Sequence, residues 1–591
     1  MVFPQRPLAL LLLVCLLSSC RPGDTAQPSP QPSATPAPTI QPVLKTWRIG
    51  LSEAPIDLYP YSGQSAAAPI LALLYPPPVL PVSGGALQGV EPALPYTSTG
   101  VLTRLPTIAN GGVITQTTTV FLDATGAVTT TPTEITTEVI QLVVTYHWNP
   151  SLRWSDGQPV TAEDSVFAYN VARASTPTPE TVRRLELTAR YEAVDTHTTR
   201  AYLPPGLSAP DYLLTAWLPL PRHTLGDIPA TKVRERLAWA PLGYGPYILA
   251  RSQPGELILS RRPDASTAYP DQVSFHFFAD LASLRTEVLA GRVDVAISHL
   301  FEPDQLPFLS QDQQTKALQV LSVPGPVWEH LDINIDIRPF DDPRVRQALA
   351  LGMNRTGLVK DLFDNHAQVM DSWIGPDSWA YPTEGLSIYP YDPEQAKRLL
   401  DEAGLIDTDG DGIRELESGQ PFSATLLTSS GTPLREEIAR RFQADMQALG
   451  LRVTVKLLPT EALYSQEGPL FRRQFTLALF GWLRAADPDG AVLWGCLAVP
   501  GSLNAWSGNN FAGWCDLAAD QALREATTTL DGALRRAAYN HHQRRFTVAL
   551  PVIPLFARPI VILALPDVRG LRPDAFAPLV WNIHQWRRGE S

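Results

Sequence analysis

The chain has 591 residues, 44% of them hydrophobic and 18% charged, with a formal net charge of -12. It is about four times as long as a ~150-residue domain and holds enough apolar material for more than one core, which excludes a disordered chain and a multi-span membrane protein. The acidic balance supplies no basic field to gather phosphates and argues against a nucleic-acid binder, and 57 prolines, roughly a tenth of the chain, predict long stiffened loops.

Arg6 precedes an apolar run over residues 8–17 that ends in Leu17-Ser18-Ser19-Cys20. The run is too short to cross ~30 Å of hydrocarbon comfortably, so it reads as an export signal. Its ending resembles the bacterial lipoprotein cleavage box, which implies that residues 1–19 are removed and that Cys20 becomes the acylated first residue. Residues 20–44 alternate Pro with Ser, Thr, Ala and Gln and read as an extended tether that buries no core. The most apolar later stretch, residues 548–565, contains Pro551, Pro554, Arg558 and Pro559, which break any bilayer-length helix.

Beyond the tether, residues 45–51 alternate as a strand, with Tyr59 and Tyr61 in the loop that follows. Thr- and Val-rich residues 83–154 predict a small β-rich subdomain, with strands over 120–122 and 139–148. At Thr161 the pattern turns helical, with Asp164 at N3 of a capping box. Asp342-Pro343 and Asp392-Pro393 open helices, the second stopping at Gly404; Thr432-Pro433 opens another that stops at Gly450. Residues 423–428, 451–458 and 475–480 read as strands between them, an α/β arrangement with ligand loops at strand ends. Cys496 and Cys515, a lone close pair in an exported chain, read as a disulfide; a two-Cys metal site lacks the further ligands of a tetrahedron.

Residues 154–170, beginning Trp154-Ser155-Asp156-Gly157 and running through Thr161 and Asp164 to Asn170, resemble the signature of the extracellular solute-binding proteins that serve peptide and nickel ABC transporters. Further resemblances follow in the family's order: Gly243-Tyr244-Gly245-Pro246-Tyr247, Ala290-Gly291-Arg292-Val293-Asp294, the Phe340-Asp341-Asp342-Pro343-Arg344 helix start, and residues 391–404. The resemblance implies a two-lobed periplasmic-binding-protein fold: lobe one over 45–326 including the β-rich subdomain (about 62–160), lobe two over 327–552, and a C-terminal return to lobe one over 553–591. The Pro-rich segments 324–326 and 551–554 mark the crossings. It further implies a binding protein rather than an enzyme, exported and lipid-anchored to the outer face of the membrane. The expected role is to pass a peptide-like or other oligomeric solute, as a monomer, to an ABC permease and its ATPase subunits.

By analogy with the family, Trp482 is the first expected ligand contact, Trp373 and Trp379 the second, and Tyr59 and Tyr61 face the cleft. The family's amine-binding Asp stands three residues after the Trp of this motif; here that position is Ala485, flanked by Arg484 and followed by Asp487. Arg484 is expected either to meet the ligand or to point to solvent or pair with Asp487, and Asp487 is the alternative partner for an ammonium. Asp407, Asp409, Asp411 and Glu415 have the spacing of a calcium loop, but Ser418 stands where a bidentate Glu is needed, which favours a plain Asx turn. His541-His542 reads as a solvated surface pair. No cofactor is implied. A carboxylate-based extracellular hydrolase is the competing reading, although no nucleophile or metalloprotease motif supports it.

Overall fold

The computed structural model describes residues 44–83, 95–125, 128–129, 131–298 and 306–589. The expected signal peptide, Cys20 and all but the last residue of the expected tether lie outside the described residues. Ten strands form one mixed sheet, in the spatial order Arg452–Leu458, Ser423–Ser429, Leu477–Leu483, Gln319–Ile333, Val552–Ala564, Val295–Ser298, Thr46–Leu51, Gln272–Phe277, Glu256–Arg261 and Tyr247–Gln253. The two long central strands run antiparallel through both lobes, with Gln319 opposite Ala564 at one end and Asp332 opposite Val552 at the other. The α/β, two-lobed expectation holds.

The ladder between these strands breaks between Pro324, which faces Pro559, and Trp328, which faces Ala557. Proline has no N–H to give a ladder, so a bulge is where a central strand accommodates it. A Cβ on Gly325 would lie 2.5 Å from the Arg558 carbonyl oxygen, so the two backbones can approach this closely only at glycine. The hydrophobic cores change hands at the same level. Leu331, Leu479, Ile553 and Phe556 belong to the lobe-two core, whereas Ile49, Phe275, Ile560 and Ile562 belong to lobe one. The second crossing therefore lies between Phe556 and Ile560, beyond the 551–554 segment marked by composition.

A fully buried carboxylate fixes this crossing. Glu329, one residue past the break, accepts hydrogen bonds from Arg435 of the Pro433–Ala448 helix (3.0 and 3.2 Å) and from Arg558 of the return strand (2.6 Å). Burial alone would push its pKa up, but the two guanidiniums outweigh that and hold it below the ordinary range.

Local capping reads as the residue types require. Thr161 and Asp164 form a capping box at the Ala162–Ala174 helix, and the buried Asp164 also accepts from the Arg222 backbone N–H (3.0 Å). Asp342 and Asp392 cap the Pro343–Gly352 and Pro393–Glu402 helices with their carboxylates. The β-rich part of lobe one is a five-stranded antiparallel sheet built on Val113–Leu122 and Thr136–His147, which also takes in Thr198–Tyr202 and Arg190–Asp195. The C-terminal segment returns to lobe one. There Arg588 (2.6 Å) and Arg48 (3.2 Å from Nε, 2.8 Å from the backbone N–H) converge on the buried Asp294 carboxylate, and Arg588 lies over the Trp47 ring at 4.8 Å. Among the described residues no helix is long and apolar enough to cross a membrane.

Candidate functional site

A cavity of about 830 Å³ lies between the lobes. Lobe one supplies Tyr61, Tyr75, Tyr96 and Leu213; lobe two supplies residues 483–489, Arg535 and Tyr539; the C-terminal segment adds Phe576. The 483–489 stretch leaves the carboxyl end of the Leu477–Leu483 strand, where α/β sheets present their ligand loops. On one side the lobes touch: the Ser208 hydroxyl donates to the Thr528 carbonyl (2.5 Å), and Leu530 packs on the lobe-one core.

The charged groups of the wall are bound to one another or to backbone. Arg484 is buried. Its guanidinium donates to both oxygens of Asp377 (2.6 and 3.1 Å) and to the carbonyls of Pro324 and Gly325 at the crossing (3.2 and 2.9 Å), and it lies 5.8 Å from the Phe576 ring centre. It meets neither solvent nor Asp487, which corrects those two expectations; it does line the cavity, with its fork already engaged by Asp377. Asp487 accepts both terminal nitrogens of Arg535 (2.7 and 3.2 Å), with side-chain exposures of 6% and 4%; Arg535 also donates to the Ala526 carbonyl (2.9 Å). Burial disfavours the Arg535 charge, but the Asp487 carboxylate outweighs it and raises the guanidinium pKa. Asp487 is thus a pre-paired acid rather than a spare partner for an ammonium. Ala485 is exposed in the wall.

Of the aromatic candidates, Tyr61 lines the cavity, with its hydroxyl donating to the Leu218 carbonyl (2.7 Å) and burial raising its pKa. Tyr59, two residues away, turns into a lobe-one cluster with Leu220 and Val233, and burial pushes its pKa up to about 12. Trp482 packs against Phe480 and Phe511 with ring centres at 5.5 and 5.8 Å, outside the cavity wall. Trp373 and Trp379 sit one layer behind the wall: both rings abut Tyr539, and Arg535 lies over Trp379 at 5.0 Å. The rings of Trp373, Trp379 and Trp482 pack in lobe two and that of Tyr59 in lobe one, so none of the four stands in the cavity wall where direct contact was expected. Arg535 and Tyr539 on the Gly532–Ala549 helix, and the lobe-one wall of residues 178–184 and 210–218, carry no motif and were missed from sequence.

Away from the cleft, carboxylate oxygens of Asp407, Asp409, Asp411 and Glu415 lie within 4.8 Å of one another. Both Asp407 oxygens accept backbone N–H groups (Gly410 2.7 Å, Gly412 3.0 Å), and Glu415 accepts from Thr408 (2.6 and 2.8 Å), the hydrogen bonding of an Asx-type turn. His541 is exposed but His542 is fully buried, accepting from the Trp373 indole (3.2 Å). Adjacent helical positions lie ~100° apart, so one ring faces water and the other the core; the solvated-pair expectation fails for His542. Cys496 and Cys515 are joined by a disulfide with Cα atoms 4.7 Å apart. It closes a loop between the buried Trp494 and Trp514, and Trp506 within the loop lies against Arg472 at 4.5 Å. Replacing both cysteines by Ala should lower stability by about 3 kcal/mol in urea unfolding, the chain-entropy value for a loop of this length; an unchanged midpoint would show that the loop is held by its packing alone.

Comparison with known proteins bears on what such a cleft is for. The family model for bacterial extracellular solute-binding proteins, family 5 (middle part), matches residues 135–502. The di/tripeptide-binding protein 2 of Pseudomonas aeruginosa UCBPP-PA14 is 28% identical over 426 residues, 68% of this chain and 73% of its own. The oligopeptide-binding protein AppA of Bacillus subtilis 168 is 24% identical over 449 residues, 74% of this chain and 79% of its own. Among solved structures, HbpA2 from Haemophilus parasuis superposes with a TM-score of 0.70 at 17% identity, covering 92% of this chain and 100% of that one. NikZ from Campylobacter jejuni, solved in complex with Ni(L-His), gives 0.61 at 18%, covering 92% and 100%. At these identities the structural likeness speaks to the fold. The family is one of exported binding proteins for ABC importers, not of enzymes, and the hydrolase reading is set aside on that ground. The chain belongs to family 5 of the bacterial extracellular solute-binding proteins.

Proposed function

We propose that the protein is the lipid-anchored receptor of an ABC importer, holding a peptide-like or similar oligomeric solute between its lobes and delivering it, as a monomer, to the permease and its ATPase subunits. The observation that carries this reading is the cavity of about 830 Å³ whose walls come from both lobes. A solute there touches both lobes at once and favours their approach about the interrupted central ladder at residues 324–328. The names of the relatives support a peptide-like solute, and backbone-directed hydrogen bonds with aromatic walls tolerate varied side chains. With Ala485 in the amine-binding position and Asp487 already paired, a free α-amino terminus is not required.

Two measurements test the reading. Mass spectrometry of solute released from protein purified out of its native host should find a bound oligomer, and protein that carries none and binds none would overturn it. Cys20→Ser should move the protein from the membrane to the soluble fraction, since a lipoprotein's two or more acyl chains anchor firmly where none remain in the variant; retention on membranes after a salt wash would place the anchor elsewhere.

A further inference from the structure

The cleft closes its own charge account. Among the described residues, each ionic side chain of the wall already has a partner within the chain. Arg183 donates to Asp211 (2.9 Å), and Arg184 donates to the carbonyls of Leu214 and Ala216 (2.9 and 3.3 Å). Arg484 holds Asp377, Arg535 holds Asp487, and Asp489 at the rim accepts the Ala491 N–H (3.0 Å). Three of the wall guanidiniums are in direct contact with carboxylates: Arg183 with Asp211, Arg484 with Asp377 and Arg535 with Asp487. Between these pairs the surface is mostly apolar, with Tyr61, Tyr75, Tyr96, Leu213, Leu483 and Phe576, and is interrupted by uncharged polar residues such as Ser65 and Thr527.

An ion entering beside Arg484 or beside the Asp487–Arg535 pair must either stay unpaired against an apolar wall, which is strongly unfavourable, or break a pair already made. The Asp487–Arg535 pair resists breaking because it is bidentate, nearly fully buried, held by the Ala526 carbonyl and backed by the Trp379 ring. Uncharged side chains also lie in the wall, among them Gln64, Ser65 and Thr178, and a neutral solute can meet them without disturbing any ion pair.

We propose that the ligand portion buried in this cleft is uncharged and largely apolar, as in a peptide-like solute masked at both ends. The Asp487–Arg535 pair and Ala485 then determine specificity by withholding both the carboxylate and the guanidinium that a zwitterionic peptide requires. This inference rests on the solute-binding reading above and narrows it. Ala485 is exposed, so an acid placed there needs no burial in the unliganded fold.

The probe is a panel of apolar tripeptides of mixed sequence, each in free, N-acetylated, C-amidated and doubly blocked form, titrated by tryptophan emission. The doubly blocked forms should bind at least tenfold tighter than the zwitterions, about 1.4 kcal/mol. Ala485→Asp should recover tenfold or more for the forms with a free amine. Equal or tighter binding of the zwitterions to the unsubstituted protein would overturn the inference while leaving solute binding intact, because the Asp487–Arg535 pair would then open to clamp both termini. A charged solute released from host-purified protein, with no tripeptide bound, would likewise overturn it. Absence of any solute and any binding would instead remove the receptor reading on which it rests.

Discussion

Replacing Glu329 by Ala should lower the unfolding free energy by about 3 kcal/mol at neutral pH. The carboxylate is fully buried where the two inter-lobe strands cross, and it joins Arg558 on one of them to Arg435 on a lobe-two helix. Its removal strands two like charges beside each other. Arg435, with a side-chain exposure of 13%, bears most of the cost, whereas Arg558 at 33% is partly solvated. Glu329→Gln keeps the shape and an acceptor and should fall between the two. Glu329→Ala combined with Arg435→Met should cost less than the sum of the single changes, because the pair is one interaction. Urea unfolding of the five proteins, Arg435→Met alone included, checks this; a loss under about 1 kcal/mol for Glu329→Ala would mean that water reaches the crossing and replaces the carboxylate.

Acidification should destabilise the protein through His542. Burial among Trp373, Trp514 and Phe546 lowers its pKa from 6.5 to about 3. Below pH 6.5 the unfolded chain takes up a proton at this residue that the native state refuses until about pH 3. The unfolded state therefore binds more protons across that window, and stability falls as the pH drops through it. The contribution is complete above pH 6.5, shrinks by about 2–3 kcal/mol at pH 4.5, and by about 4 kcal/mol at pH 3. His542→Gln keeps an acceptor for the Trp373 indole without the titration. Its stability should decline less between pH 7 and pH 4.5 by that amount, and parallel declines for the two proteins would show that the folded protein protonates His542 as readily as the unfolded chain does.

What could be read from the sequence was what neighbouring residues decide. Thr161 with Asp164, and Asp342 and Asp392 before their prolines, cap helices through contacts three residues long or less, so residue type and spacing suffice. The placing of Arg484 and Asp487 in the cleft was also legible, because a strand end delivers them there. Their partners were not: Asp377 is 107 residues from Arg484, and Arg535 is 48 from Asp487. That distance turns two apparent ligand groups into closed ion pairs. The tryptophans failed for a different reason. An indole in a loop is equally suited to a ligand wall and to a core, and only tertiary packing assigns Trp373 and Trp379 to the layer behind. Tyr59 and Tyr61 share one loop and their rings lie 6.1 Å apart, yet only Tyr61 reaches the cavity wall.

The clamp of Arg48 and Arg588 on Asp294 sets the order in which the molecule can mature. Lobe two draws its strands and helices from one continuous stretch between Trp328 and Ala557, so it can complete as soon as that stretch is available. Lobe one begins at Thr46 but still needs the outer half of Val552–Ala564 for its sheet, and Asp294 waits for Arg588, 294 residues further on. A chain emerging amino end first therefore leaves Thr46–Leu51 without its Val295–Ser298 neighbour for the first half of its length, and Val295–Ser298 without the Val552–Ala564 strand for most of the second half. The lobe encoded first is finished last, and any agent that shields it in transit must release it only after the final residues arrive.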